Sequence, residues 1–285
     1  MNEKIIPNEI CHCSDKKPKL LQIKMNNRCN GNCWFCIDKK NYSPKVIDVD
    51  KMIESVISET EYQVIDVTGG EPFLDFGSLI ELLKGIRPYK KEIILNTNGS
   101  LLTEEKVTQL NGLIDELRIA LHHYDEQKNS EIIKTKISFK EIKESLKKKK
   151  FKATFNMVIT KAIEDEKEIF VEKLADFCHD MNVDAVRMSE VKYVGENHGH
   201  EEYDKNHVRA YEFFEKLGVI EKKTSEELIK TGCIDIFNYK GIEFHLKRLC
   251  GYKIKSNVQT FKVVYSSGEK ADDWVYDGIA IKKHP

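Results

Sequence analysis

Residues 20–36 read Leu-Leu-Gln-Ile-Lys-Met-Asn-Asn-Arg-Cys-Asn-Gly-Asn-Cys-Trp-Phe-Cys. The first six are mostly apolar and run into asparagines, the pattern of a short strand meeting a turn. The loop that follows is rich in Asn and Gly and carries Cys29, Cys33 and Cys36 within eight residues. Working outward, the same alternation recurs. Strand-like runs lie at Leu20–Met25, Gln63–Thr68, Glu92–Asn96, Glu116–Leu121, Lys152–Thr160 and Val183–Val191. Helical patterns separate them. Asp50–Thr60 places Met52, Ile53, Val56 and Ile57 on one face, Ser78 and Thr103 read as N-caps, and Ser138-Phe139-Lys140-Glu141 reads as a capping box. Glu164–Met181 reads as a longer helix.

Six strands alternating with helices call for a parallel sheet with right-handed crossovers, either an open doubly wound sheet or a complete or partial barrel. Both architectures carry function at the carboxyl ends of the strands. The cysteine loop follows strand one there. Thr68-Gly69-Gly70-Glu71-Pro72 follows strand two, Thr97-Asn98-Gly99 strand three and His122-His123-Tyr124-Asp125 strand four. The Cys-rich, Gly-rich and polar segments thus share one rim.

The 285-residue chain has 46 basic and 47 acidic side chains, a net charge of -1 that excludes a nucleic-acid binder working through bulk positive charge. No apolar run approaches the ~20 residues needed to span a bilayer, and residues 1–10 lack a signal-peptide core. A cytoplasmic location is the expectation, with no membrane partner. Eight cysteines in a reducing compartment point to metal binding, catalysis or packing rather than disulfides. Cys178 falls on the inner face of a helix. Cys11, Cys13, Cys233 and Cys250 are scattered, and a second metal site built from them is the minority reading.

Three clustered thiolates fall one short of the four ligands of a structural zinc site or of a closed iron–sulfur cluster. On a four-iron cluster, three cysteines leave one iron open to a ligand that is not protein. A zinc site completed by a distant Cys or His, or three buried cysteines, are the competing readings.

In the Cys29/Cys33/Cys36 spacing, in Phe35 before the third cysteine, in Gly69-Gly70-Glu71-Pro72 and in Asn96-Thr97-Asn98-Gly99, the chain resembles the radical S-adenosylmethionine (SAM) superfamily. The general look is nearest the subgroup of the molybdenum-cofactor cyclase, whose three C-terminal cysteines for a second cluster are not matched. The resemblance covers roughly residues 20–191. It implies an α/β fold, a partial (β/α)6 barrel, here with a C-terminal α+β extension. The expected divisions are 1–19, an N-terminal flap; 20–200, the barrel core; and 201–285, an extension covering the barrel.

The resemblance further implies a 4Fe-4S cluster on Cys29, Cys33 and Cys36, with S-adenosyl-L-methionine on its open iron. It places Gly69, Gly70 and Glu71 around the methionyl ammonium and Phe35 against the adenine. Thr97 and Asn98 stand near the ribose or methionyl group, and Asn156 and Met188 at ribose and adenine. Relatives often carry a serine on strand four where this chain has Ala120, and His122 stands in as replacement. Reductive cleavage would yield a 5'-deoxyadenosyl radical that abstracts hydrogen from the substrate. His122 and Arg187 are the candidate catalytic or substrate-positioning residues, Arg187 by holding a carboxylate or phosphate, with an internal ion pair as its other reading. The short segment before strand one and the cysteine-poor tail favour a small-molecule or nucleotide-like substrate over a peptide. A one-electron donor such as flavodoxin or ferredoxin is the implied partner. A non-catalytic iron–sulfur or zinc sensor is the reading from another class.

Overall fold

The computed structural model describes residues 19–36, 38, 44–166, 169–191, 205–206, 208, 214, 234–247 and 261–272, the side chains of 164–166 excepted. Six parallel strands form where the apolar runs predict them: β1 (Leu20–Lys24), β2 (Val64–Thr68), β3 (Glu92–Thr97), β4 (Glu116–Ala120), β5 (Lys152–Ile159) and β6 (Ala185–Glu190). They stand side by side in chain order, as right-handed crossovers require. The crossover helices are α1 (Val49–Ser58), α2 (Phe76–Ile86), α3 (Glu104–Leu110), α4 (Glu126–Ile133), α5 (Phe139–Leu146) and α6 (Phe170–Asp180).

Thr103 and Ser138 cap α3 and α5 as expected, accepting from the amides of Lys106 (3.3 Å) and Glu141 (3.3 Å). Ser78 does not begin its helix. The chain enters α2 two residues earlier from a 3₁₀ turn at Pro72–Asp75, which places Ser78 inside the first turn. The helix expected over 164–181 starts only at Phe170, after a 3₁₀ segment at Lys161–Glu166.

The sheet does not end at β6. The hairpin β7 (Ile234–Tyr239) and β8 (Ile242–Lys247) adds to one edge, β8 lying parallel to β6. On the other edge β9 (Phe261–Tyr265) lies parallel to β1, with the short β10 (Lys270–Ala271) antiparallel to it. The C-terminal strands therefore lengthen a ten-stranded sheet at both margins. The expected flap at 1–19, save Lys19, lies outside the described residues, as do Cys11, Cys13, Cys233, Cys250 and the segment 192–200. Of the extension expected at 201–285, residues 205–206, 208, 214, 234–247 and 261–272 are described.

Parity along the strands decides what each face does. Successive side chains point to opposite faces, and paired residues share one. Val67, Leu95, Ile119, Phe155, Val186 and Phe244 are buried against the helices, where Phe155 stacks on Phe177 of α6 at 5.6 Å. Their neighbours on the concave face are Thr68, Asn96, Arg118, Ala120, Asn156 and Arg187, all retaining accessible surface. A parallel sheet packed on both faces reads as continuous apolar runs. This one alternates, so its concave side is a polar chamber. Beneath it Asp66 and Glu116 form a floor: Gln22 and Asn96 donate to Asp66 (2.8 and 2.6 Å), and Arg118 and Thr154 to Glu116 (2.7 and 2.6 Å).

Phe155→Ala removes a ring that is 1% exposed. It is expected to lower stability by about 3–5 kcal/mol, read as a fall in the urea midpoint; a loss under ~1 kcal/mol would contradict the packing described.

Candidate functional site

The cysteine loop is fastened to its neighbours by its backbone and its asparagines. The amide of Gly70 donates to the Asn26 carbonyl (3.0 Å) and that of Glu71 to the Arg28 carbonyl (2.7 Å). Asn26 Nδ2 donates to the Glu71 carbonyl (3.0 Å) and to Asp75 (2.7 Å), which also pairs with Arg28. Farther along, the Asn32 amide donates to the carbonyl of Ile133 at the end of α4 (2.8 Å). The two glycines make this contact possible. A Cβ on Gly70 would lie 2.0 Å from the Arg28 oxygen. Gly69 has φ +142°, and a Cβ there would lie 2.8 Å from the Asn26 oxygen.

Glu71 is fully buried. Its Oε1 accepts from the Phe73 amide (3.0 Å) and the Thr97 hydroxyl (2.8 Å), and its Oε2 from the Asn98 amide (2.7 Å). Asn98 Nδ2 in turn donates to Asn30 Oδ1 (2.8 Å) and lies 3.9 Å from Cys29 Sγ. The Gly31 amide also donates to Cys29 Sγ (3.2 Å), and the Cys33 thiol faces the Ile133 carbonyl at 3.8 Å. Burial raises the Cys29 thiol above its ordinary value, and the Gly31 and Asn98 N–H groups aimed at its sulfur offset part of that. Cys29 is exposed, Cys33 and Cys36 are half-buried, and Cys178 lies in the core, where burial pushes its thiol up to about 12. Among the described residues no three His, Cys, Asp or Glu side chains converge on a single-ion site.

His122 and Phe35 meet at 4.8 Å, edge to face, and Trp34 meets Phe35 at 5.2 Å in the same manner. The His122 ring is buried, and its Nδ1 accepts from the Val158 amide (3.1 Å). That bond leaves the proton of the neutral ring on Nε2. Burial lowers its pKa to about 3. The backbone amide of His122 donates to Asn129 Oδ1 (2.7 Å), and Asn129, on α4, is fully buried. His122 therefore finishes the β4–β5 ladder with its own side chain and supports Phe35.

Four residues make contacts other than those expected of them. Met188 has the parity of Val186 and is buried on the helix-facing side, so its side chain belongs to the core and only its backbone borders the chamber. The Glu71 carboxylate is turned inward onto Thr97 and Asn98 rather than toward a ligand. The Thr97 hydroxyl is committed to that carboxylate, and Asn98 to the cysteine loop. Asn156 and Arg187 do face the chamber, paired across β5 and β6. Sequence reasoning missed Asn129 and the whole of α4, whose face is weakly amphipathic. It also missed Lys24, fully buried at the end of β1 and paired with Asp38 at 3.1 Å, two residues past the third cysteine. A lysine in an apolar run was the available signal.

The sequence model of the radical SAM superfamily matches residues 23–174, more than half of the chain. The chain belongs to the radical SAM superfamily. As a radical SAM enzyme it has an iron–sulfur cluster and SAM as cofactors. Among curated relatives it is 26% identical over 189 residues to a GTP 3',8-cyclase of Aquifex aeolicus, spanning 62% of this chain and 58% of that one. It is 31% identical over 153 residues to YydG of Bacillus subtilis, a putative peptide biosynthesis protein, spanning 50% and 47%. The matched region is thus about half the length of these relatives. In fold it is similar to SuiB of Streptococcus suis bound to SAM (TM-score 0.63, 16% identity, 90% of this chain and 60% of that one). It is also similar to anSMEcpe with bound SAM (TM-score 0.51, 18% identity, 70% and 59%). These likenesses extend the partial-barrel fold to this radical SAM chain.

His122 also gives a pH signature. Its folded pKa is depressed, so its contribution is present above about 6.5, the value of an unperturbed ring, and is lost as pH falls toward about 3. In that window stability is expected to fall by up to ~1.4 kcal/mol per pH unit, with His122→Gln showing a shallower slope in urea titrations at pH 7, 6 and 5. Parallel slopes would contradict the assignment. Gly70→Ala, by contrast, is expected to unseat the cysteine loop and to lower iron uptake on reconstitution at any pH.

Proposed function

We propose that Cys29, Cys33 and Cys36 hold a 4Fe-4S cluster one protein ligand short, and that SAM fills the vacancy. The observation that carries this reading is the fastening of the cysteine loop onto the Gly69–Gly70 turn, supported by Asn98, on the carboxyl rim of a polar-faced sheet. When bound, the cluster supplies an electron that cleaves SAM to a 5'-deoxyadenosyl radical able to take hydrogen from an unactivated C–H bond.

This chain's own residues bind and orient. Peptide carbonyls of the Gly69–Gly70 turn would accept from the methionyl ammonium, and the missing Cβ atoms let that turn sit against Asn26 and Arg28. Glu71 acts from behind them, fixing the turn through Thr97 and Asn98. Phe35 provides surface to the adenine, kept in place by neutral His122. Asn156 offers its amide to the ribose. The polar chamber below receives the substrate, and its walls exclude bulk water from the reacting centre. The substrate class is a small or nucleotide-like molecule, in keeping with the GTP cyclases among the relatives. The 31% identity to YydG favours a peptide as the second reading. A reduced flavodoxin or ferredoxin would supply the electron.

Anaerobically reconstituted protein is expected to hold about four irons and to form 5'-deoxyadenosine from SAM with dithionite. Cys33→Ala is expected to lose both. Glu71→Gln, which keeps the shape of the carboxylate, is expected to retain iron better than Glu71→Ala, which strands the Thr97 and Asn98 donors. Zinc at the triad, or undiminished deoxyadenosine from the Cys33 variant, would overturn the reading.

A further inference from the structure

The charges of the concave face are not evenly satisfied. Asp66 is held by Gln22 and Asn96, Glu116 by Arg118 and Thr154, and Lys24 by Asp38. Arg187 is the exception: among the described residues it makes no hydrogen bond or ion pair with any side chain. Burial holds its guanidinium below the ordinary value, Arg118 adds to this, and Asp66 and Glu116 oppose it from farther away. Arg187 is half-buried, so water screens it only in part, and an anion entering the chamber would complete its pairing.

The strand register shapes the space around it. Arg118 on β4 faces Thr154 on β5, which faces Ala185 on β6; one layer nearer the rim, Ala120 faces Asn156, which faces Arg187. The two arginines therefore occupy one diagonal of a two-layer grid and the two alanines the other. Arg187 faces Asn156 on one side and, on the other, His245 of β8, which is itself paired with Glu243 (2.5 Å). Two strand spacings across and two residues along separate the arginine Cα atoms by about 12 Å, a span that both side chains can close on from opposite sides. Asn156 stands between them, with no side-chain hydrogen bond among the described residues.

We propose that Arg187 and Asn156, backed by Arg118, form an anion subsite in the chamber that takes a carboxylate or phosphate group. This rests on the chamber being where the radical SAM reaction occurs, and it narrows the substrate side of that reaction to an anionic class. The group is assigned to the substrate, and the methionyl carboxylate of SAM is the alternative that the test excludes.

The test uses reconstituted protein with Arg187→Met and Arg187→Lys. In anion-poor buffer Arg187→Met is expected to raise the thermal midpoint, because an unbalanced cation has been removed. Inorganic phosphate or acetate is expected to raise the wild-type midpoint with at least tenfold greater potency than that of Arg187→Met, and Arg187→Lys is expected to recover part of the effect. SAM affinity by equilibrium dialysis assigns the source. A tenfold loss in Arg187→Met would give the site to the methionyl carboxylate and overturn the proposal, whereas unchanged SAM affinity with lost phosphate or acetate protection supports it. A lower midpoint for Arg187→Met with unchanged anion potency would make Arg187 a structural cation and overturn the proposal. Failure here with four irons and normal SAM cleavage leaves the enzymatic reading intact; loss of iron and cleavage in the wild type defeats that reading instead.

Discussion

A buried carboxyl group organises the tip of this barrel. Glu71 is sealed from water, and burial raises its pKa, opposed by the donors around it and, more weakly, by Lys106. Two backbone amides and a hydroxyl surround it, and to reach it they must bring the end of β3 against the turn after β2. Once that junction is fixed, Asn98 is delivered to the cysteine loop, and the loop's own carbonyls receive the Gly70 and Glu71 amides. Satisfying one buried acid therefore positions three loops that are distant in sequence. Such a network holds its geometry because removing any member leaves buried donors without acceptors, at ~1–3 kcal/mol each.

The same logic recurs lower down. Asp66 and Glu116 are each enclosed by neutral donors or by Arg118, so the chamber floor is polar yet closed. The upper layer is polar and open. A gradient from satisfied to unsatisfied groups runs from the floor to the rim, and the least satisfied residues, Arg187 and Asn156, are those nearest the expected reaction centre. Preorganised polar groups of this kind are stabilising only when a ligand completes them.

Much of this was readable from the chain alone. The six strands follow from period-two apolar runs, and the cysteine loop, the glycine turn and Thr97-Asn98 fall at their carboxyl ends because a parallel sheet puts every such end on one side. What escaped has physical causes. Met188 directly follows Arg187, so strand alternation alone sets their side chains on opposite faces of β6, and both cannot line the chamber. Glu71 and Thr97 are polar residues beside a ligand-binding turn, and their sequence is the same whether they face a ligand or each other. The helix α4 has too weak an apolar face to announce itself, yet its last carbonyl and Asn129 anchor both the cysteine loop and His122. The placement of β8 and β9 depends on pairings across most of the chain.

That last feature bears on biogenesis. The strand that leads into the cysteines has β9 as one of its two hydrogen-bonding neighbours, and β9 leaves the ribosome almost a full chain length later. Until then β1 is an open margin with an unused row of amides and carbonyls, a template for mispairing. A polypeptide truncated before residue 261 would carry all three thiols on a loop whose leading strand is flanked on one side only, by β2.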